Sequence, residues 1–396
     1  MNEEKIWNKG FTTVTLSHSL VSLGAYMVIP TIPLFLVSLN ATESVVGIVA
    51  TAYYISSILT RFLINLVIAK VGKKRALIAG LFLCTIVMAS YGFAESVAAV
   101  AALRIIQGMG LGSASTIAVT LAVDFLPDSR RGQGVGYHTM GIVVAMTIGP
   151  AFALFLRSNF GFMPMFLVAS CSSLIAAITV FFIDEPKIIT AEPQEKQEEK
   201  AKAIDWRNIY DRKLIAPSAI VLLFGVCRSV DMNYIAIFAE ERNLKYLSFY
   251  FIVQTATMFL IRLIIGPFVD KKGRNWILLP GGAAMLAFLI TLSVTKTSAA
   301  MLLGAFFSGL GIGVLSPNLQ VWMIGLVNPK KRSVASASYY SFVELGSAIG
   351  APLLGLAAER FGYTVMFRAG ACVALLYIIM YIAIGREKKP RNTQVS

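Results

Sequence analysis

Long apolar runs separated by short polar segments occupy almost the whole chain. Twelve runs are long enough to cross a membrane as helices, which requires about 20 residues each. They cover 11–39, 45–69, 76–94, 97–123, 133–156, 162–183, 214–239, 246–269, 276–295, 298–327, 334–358 and 364–385. The runs are too long for barrel strands and lack their alternation, and in lipid only helices and closed barrels satisfy every backbone group. We therefore predict an all-α membrane protein with 12 transmembrane helices in two six-helix halves.

One polar segment is much longer than the others. Residues 184–213 contain the sequence EPQEKQEEKAKA, which mixes charges and has no apolar periodicity. We predict an N-terminal six-helix half at 1–183, a cytoplasmic linker at 184–213, and a C-terminal half with its tail at 214–396.

The distribution of basic residues predicts the orientation. Of 35 Lys and Arg residues, 25 fall in segments on the N-terminal side of the membrane, 6 on the other side and 4 within the spans or at their ends. Cytoplasmic loops carry the excess of Lys and Arg, so both termini are predicted to be cytoplasmic in a multi-pass protein of the cell membrane. The net charge of +14 is thus a topology signal, and nucleic acid is not an expected partner. A hydrophobic share of 57% with only 14% charged residues also excludes an ordinary soluble domain.

The two halves repeat each other at a constant offset of 201 residues. The matched pairs are Arg61 and Arg262, Gly72 and Gly273, Gly108 and Gly309, Gly110 and Gly311, Gly112 and Gly313, Arg131 and Arg332, and Gly149 and Gly350. Many transporters are built from such repeats, with a binding site near the bilayer midplane between them. The repeat predicts pseudo-symmetric halves that rock against each other in alternating access.

The loop after the eighth run reads Gly266-Pro-Phe-Val-Asp270-Lys271-Lys-Gly273-Arg274. It is similar to the signature G-x-x-x-D-[RK]-x-G-[RK] of the major facilitator superfamily, and the whole chain resembles the twelve-helix drug:proton antiporter-like branch of that superfamily. The equivalent loop after the second run has Asn65 in place of the Gly and Ala69 in place of the acid.

Two further motifs lie in the fourth and fifth runs. Arg104, Gln107 and Gly108 resemble the family motif R-x-x-Q-G, whose arginine the resemblance implicates in proton-linked transport. The fifth run resembles the antiporter motif, a series of small residues ending in Gly149 and Pro150, which favours export. Close helix packing alone would also explain these small residues.

Charges within a bilayer are costly and usually functional. Glu344, near the middle of the eleventh run, is predicted to carry protons; the alternative is a structural hydrogen bond. Arg228 and Asp231 share one face of the seventh run because they are three residues apart. They are proton-coupling candidates together with Arg104, and the sequence leaves open whether they form a static or a switching pair.

The remaining candidates are predicted to line the substrate cavity or to form gates. Aromatic walls with few polar groups suit amphipathic organic substrates, although packing is the alternative role for each aromatic residue. The cavity candidates are His18, Tyr26, Tyr53, Gln107, Tyr234, Gln254, Trp322 and Tyr340. The gate candidates are Asp270, Lys271, Gly273, Arg274, Asp124, Lys73, Gly149 and Pro150.

No nucleotide-binding or catalytic motif is found, and the four cysteines lie in apolar runs without metal-ligand spacing. No enzyme activity, cofactor or metal is therefore expected. The expected function is proton-coupled export of a small amphipathic drug or metabolite by a functional monomer, with the substrate, protons and the bilayer as partners. The alternatives are a proton-coupled uptake symporter for a sugar or organic acid, and a non-transporting membrane sensor or scaffold.

Overall fold

The computed structural model describes residues 6–127, 130–183, 212–328 and 331–385, without the side chains of 212, 266–272, 333 and 385. In this part of the chain, twelve helices are long and apolar enough to cross a membrane, which confirms the predicted fold class. We number these helices spans 1 to 12. They run Lys9–Ser38, Glu43–Val71, Lys73–Ser90, Val97–Asp124, Arg131–Phe160, Phe162–Phe181, Ile215–Asn233, Leu247–Lys272, Asn275–Ser293, Ser298–Gly325, Arg332–Phe361 and Tyr363–Met380.

Short helical segments extend some of the spans. Tyr91–Phe93 is a 3₁₀ turn after span 3, and Tyr381–Gly385 is a π-helical turn after span 12. The seventh run, expected to be continuous, is broken at Tyr234, whose φ of −120° departs from helical values, and it resumes as Ile235–Glu241. Most of the predicted linker, residues 184–211, lies outside the described residues.

The spans pack in two equivalent patterns. In spans 1–6, the pairs in contact include 1 with 5, 2 with 4, and 3 with both 4 and 6. In spans 7–12, the corresponding pairs are 7 with 11, 8 with 10, and 9 with both 10 and 12. The contacts between the two sets are also related by the repeat, because span 2 packs on span 11 and span 5 on span 8.

Glycines allow two helices to approach closely at equivalent crossings in the two sets of spans. A Cβ atom on Gly110 would lie 3.3 Å from the backbone nitrogen of Cys84, and one on Gly311 would lie 3.1 Å from that of Met285. Cys84 and Met285 are themselves separated by the repeat offset of 201 residues. The repeat therefore extends from single residues to the backbone contacts that they permit.

Glycines also form the tight turns between adjacent spans. Gly72 and Gly273 have φ angles of 84° and 79°, and Gly161 and Gly362 have φ angles of 86° and 81°. Side chains with a Cβ rarely adopt this left-handed region, so each turn requires the glycine found there. Both pairs are separated by the repeat offset, and the need for glycine at these turns explains why Gly72 and Gly273 match in the sequence repeat.

The outer surface of the bundle is apolar. Side chains such as Leu59, Leu63 and Leu263 are more than half exposed, as expected for surfaces that contact lipid. The cysteines are free, but only Cys84 and Cys227 are buried, whereas Cys171 and Cys372 are exposed. From the apolar runs around them, all four would be expected to be buried small hydrophobic residues; this is wrong for the latter two, because an apolar run in a membrane protein also has a lipid-facing side.

Candidate functional site

An ion pair joins the two sets of spans near the middle of the bundle. Nη2 of Arg61 in span 2 lies 2.7 Å from Oε1 of Glu344 in span 11. Both side chains are mostly buried, with 25% and 17% of their surface exposed. The guanidinium of Arg61 also lies 5.9 Å from the ring centroid of Tyr340. The second carboxylate oxygen of Glu344 has no hydrogen-bond partner among the described residues.

Two more arginines approach this pair from spans 7 and 8. Arg228 acts electrostatically on Glu344, and Arg262 lies in the fields of Arg228, Tyr26 and Tyr340. All six side chains are at least partly accessible, and among the spans that carry them, span 2 packs on span 11 and span 11 on span 7. We call the following six residues the central cluster: Tyr26, Arg61, Arg228, Arg262, Tyr340 and Glu344.

Close packing of span 1 on span 5 places Tyr26 in the cluster. A Cβ atom on Gly149 would lie 2.9 Å from Cβ of Tyr26 and 3.2 Å from the backbone nitrogen of Met27. Gly149 and the following Pro150 are both buried. The structure thus gives Gly149 a packing contact beside the central cluster.

Arg104 is buried in span 4 without a carboxylate partner among the described residues. Its Nη1 donates to Oε1 of Gln107 at 2.8 Å, and its guanidinium lies 4.6 Å from the ring centroid of Tyr53. The hydroxyl of Tyr91 donates to the same oxygen of Gln107 at 2.8 Å. An amide dipole and an aromatic face therefore hold this charge.

Asp231 is the centre of a hydrogen-bond network among spans 7, 8 and 10. It accepts from the hydroxyl of Tyr250 at 2.6 Å and from Nε2 of Gln254 at 2.6 Å, and Ser308 lies 3.4 Å from Oδ1. All four side chains are buried. Arg228 and Asp231 form no ion pair in the described part of the chain, although Arg228 acts electrostatically on Asp231. Neither Tyr250 nor Ser308 was identified from the sequence, because polar residues of this size are common in membrane helices.

The two histidines of the chain form a hydrogen bond with each other. Nδ1 of His18 in span 1 lies 2.8 Å from Nε2 of His138 in span 5, and Nδ1 of His138 lies 3.0 Å from the hydroxyl of Thr15. Both imidazoles are buried. His18 is thus part of a contact within spans 1–6, a placement that differs from the predicted cavity wall.

Because twelve crossings return the chain to its starting side, the bundle has a termini face and an opposite face. At the opposite face, Tyr234 donates to the backbone oxygens of Ala351 at 2.5 Å and of Glu43 at 3.3 Å. The backbone nitrogen of Ser44 donates to Glu359 at 3.2 Å. Arg157 and Glu240 form a further ion pair there. Tyr234 therefore fastens spans 2, 7 and 11 together, whereas the sequence predicted it in the cavity wall.

At the termini face, Lys73 and Asp124, two of the gate candidates, form an ion pair between spans 3 and 4. The guanidinium of Arg274 lies 4.6 Å from the ring centroid of Trp322. Trp322, which the sequence predicted in the cavity wall, therefore lies at the termini face beside Arg274. The side chains of Asp270 and Lys271, two further gate candidates, lie outside the described residues.

The central cluster thus gathers Tyr26 and Tyr340 with Glu344 and Arg228, while Tyr53 contacts Arg104 beside it. Of its six members, Arg61 and Arg262 had been noted in the sequence only as a repeated pair. Their position inside apolar runs could have marked them as candidates. An arginine in the middle of a span does not contribute to the excess of Lys and Arg in the loops that sets the orientation, so its presence there needs another reason.

A family model described as Major Facilitator Superfamily matches residues 14–298 and 246–396. The chain belongs to this superfamily. It is therefore a transporter of a small-molecule substrate and not an enzyme, and it is a multi-pass membrane protein with twelve apolar spans.

Relatives of known name include exporters. The transporter is 24% identical to Multidrug resistance protein 2 of Bacillus subtilis over 95% of each chain. It is 20% identical to the staphylopine export protein of Staphylococcus aureus over 91% of each chain. The crystal structure of the nucleoside transporter NupG superposes with a TM-score of 0.76 at 12% identity, covering 96% of this chain and 100% of that one. The last likeness concerns the fold alone.

Proposed function

We propose that this transporter is a proton-coupled exporter of a small amphipathic drug or metabolite that works by alternating access. The ion pair between Arg61 and Glu344 carries the proposal, because it joins the two sets of spans at the centre of the bundle. A proton on Glu344 removes the negative charge and so weakens the attraction between spans 2 and 11. The protonation state of one carboxyl group then biases the equilibrium between two conformations.

Two six-helix halves, 1–183 and 214–396, are the rigid units in this mechanism. The contacts of Tyr234 and Glu359 support a state in which the halves are closed at the opposite face. The basic residues of the loops support cytoplasmic termini in the cell membrane, so that closed face would be the external one. Asp270, Lys271, Gly273, Arg274, Lys73 and Asp124 are the proposed gate residues at the cytoplasmic side.

Other buried charges extend the proton-coupling site. Asp231 lies in a buried network in which a phenol and a hydroxyl donate hydrogen bonds to its carboxylate. Arg228 acts on both Asp231 and Glu344, and so would link the two carboxyl groups. Arg104 would contribute its charge beside Tyr53.

The proposed direction rests on the names of two relatives, a multidrug resistance protein and an export protein. The small residues of span 5, with Gly149 against Tyr26, are consistent with the export motif that the sequence resembles. The transporter would act as a monomer, since each chain contains both halves and the cluster between them.

Everted membrane vesicles with an acidic interior test this proposal, with three dyes as probes: ethidium (cationic), Nile red (neutral) and anilinonaphthalene sulfonate (anionic). We expect at least one dye to accumulate, to leave when a protonophore is added, and to accumulate normally without ATP while the pH gradient is clamped. Accumulation that follows ATP would refute proton coupling. Accumulation only in right-side-out vesicles would indicate an uptake symporter, and no movement in either orientation would support a sensor or scaffold.

A further inference from the structure

The central cluster carries more positive charge than its carboxylates neutralise. Arg61 is paired with Glu344, which leaves Arg228 and Arg262. Neither forms an ion pair in the described part of the chain, and Nε of Arg262 is buried without a hydrogen-bond partner there. The other carboxylate on which Arg228 acts, that of Asp231, accepts hydrogen bonds from Tyr250 and Gln254 instead.

Arg228 and Arg262 lie within electrostatic range of each other. Arg262 is in the field of Arg228, although the two residues come from different spans, 8 and 7. Uncompensated charges within a membrane are expensive, and two like charges together increase this cost. A fold that keeps both at its centre is explained if a ligand supplies the missing negative charge.

The side chains around Arg228 and Arg262 indicate the chemistry of the uncharged part of such a ligand. Tyr26 of span 1 and both Tyr339 and Tyr340 of span 11 lie within electrostatic range of Arg262. Tyr26 is partly accessible and Tyr340 is 48% exposed, so packing does not fully cover either side chain. Aromatic faces beside guanidinium groups suit an amphipathic molecule with a ring and a planar oxyanion.

We propose that Arg228 and Arg262 bind the oxyanion group, a carboxylate or a phosphate, of an amphipathic organic anion, with Tyr26 and Tyr340 against its apolar part. This inference rests on the proposed transport function and names the substrate class. A guanidinium binds either oxyanion through paired hydrogen bonds. A cationic drug would instead need a carboxylate that has no ion-pair partner, and Glu344 already forms an ion pair with Arg61.

Export of an anion has an electrical consequence. Anion outflow and proton inflow both move positive charge inward, so an inside-negative membrane potential drives the exchange in addition to the pH gradient. One-for-one exchange of a monovalent cation for a proton would move no net charge. The dependence of transport on membrane potential therefore reports the charge of the substrate.

Binding to the purified full-length protein tests the site without any gradient. The probes are four compounds with one ring system: 1-naphthylacetate, 1-naphthyl phosphate, 1-naphthylacetamide and 1-naphthylethylamine. We expect at least one of the two anions to raise the melting temperature, and the neutral amide and the cationic amine to have little effect. The two anions together distinguish a carboxylate site from a phosphate site.

Single substitutions test whether the anion binds at the two arginines. Arg228→Gln and Arg262→Gln should each weaken binding of the anion more than tenfold. Both should fold at least as well as the parent without ligand, because each removes an unneutralised charge. Arg368→Gln, which changes an exposed arginine in span 12, is the matched control and should bind normally.

The proposal is overturned if the amine stabilises the protein as well as the anions do, if neither anion binds, or if anion binding survives in both variants. Because no proton gradient is present, these outcomes are separate from those of the vesicle experiment. Anion binding without proton-driven movement would refute the proposed coupling and leave the binding site intact.

Discussion

Nη2 of Arg61 in span 2 donates to Oε1 of Glu344 in span 11 at 2.7 Å, and so connects two sets of six spans across the centre of the bundle. Arg61 has a counterpart in Arg262 at the repeat offset, whereas the position equivalent to Glu344 is Val143. The pseudo-symmetry of the fold is thus broken where the central charges meet. One carboxylate therefore pairs with only one of the two equivalent arginines.

Glu344→Gln should abolish gradient-driven transport of a bound probe while its exchange across the membrane continues. A permanently neutral side chain mimics only the protonated state, so the pair with Arg61 cannot re-form after each cycle. Uphill transport and exchange measured in parallel in proteoliposomes check this, and we expect uphill transport to fall at least about tenfold, which corresponds to about 1.4 kcal/mol. Normal uphill transport by the variant would show that Glu344 has a structural role only.

Gly108→Ala and Gly309→Ala should both destabilise the protein. The added methyl group would clash with the backbone oxygen of Tyr53 in the first variant and with that of Gln254 in the second, each in a neighbouring span. Overpacking of this kind typically costs about 1–3 kcal/mol. Melting temperatures in detergent measure the effect. Gly132→Ala is the control, because a Cβ atom there meets nothing within 4 Å, and it should be neutral or slightly stabilising.

Tyr234→Phe should open the opposite face more than Glu240→Gln does. The hydroxyl of Tyr234 is buried and donates to Ala351, so its removal leaves a backbone oxygen without this donor, at a cost of about 1–3 kcal/mol. The partner of Glu240, Arg157, forms a solvent-accessible ion pair, and such pairs contribute about 0–1 kcal/mol. The reaction rate of a cysteine placed at Ser44, in a background without native cysteines, reports opening. A faster rate in Glu240→Gln than in Tyr234→Phe would contradict this ranking.

Asp270→Asn should increase the population that is open at the termini face, whereas Ala69→Asp should decrease it. The carboxylate of Asp270 is predicted to meet the N-terminal end of span 5 near Gly132–Gly136, a contact that typically contributes about 0.3–1 kcal/mol. Ala69 occupies the equivalent position, and its uncharged side chain cannot make the corresponding contact with the start of span 11 near Val334. Spin labels at Lys70 and Ala337, both exposed, measure the separation of spans 2 and 11. Unchanged distances in both variants would exclude this gate contact.

The amino-acid sequence by itself determined the twelve spans, because a bilayer requires about 20 apolar residues in every helix that crosses it. It also determined the repeat. Gly72 and Gly273 must be glycine at turns with positive φ, and Gly110 and Gly311 must be small where helices touch, so both constraints leave a mark at fixed spacing. Such local requirements can be detected without knowing which helices are neighbours.

Only the tertiary structure decided which charges meet. Arg228 and Asp231 are adjacent on one helix face, yet Asp231 bonds to Tyr250 from another span, and Glu344 pairs with an arginine 283 positions away in the chain. His18 similarly finds its partner in His138. Pairings between distant spans depend on helix order and rotation within the bundle. These follow from the sum of many packing contacts, so no short stretch of sequence encodes them.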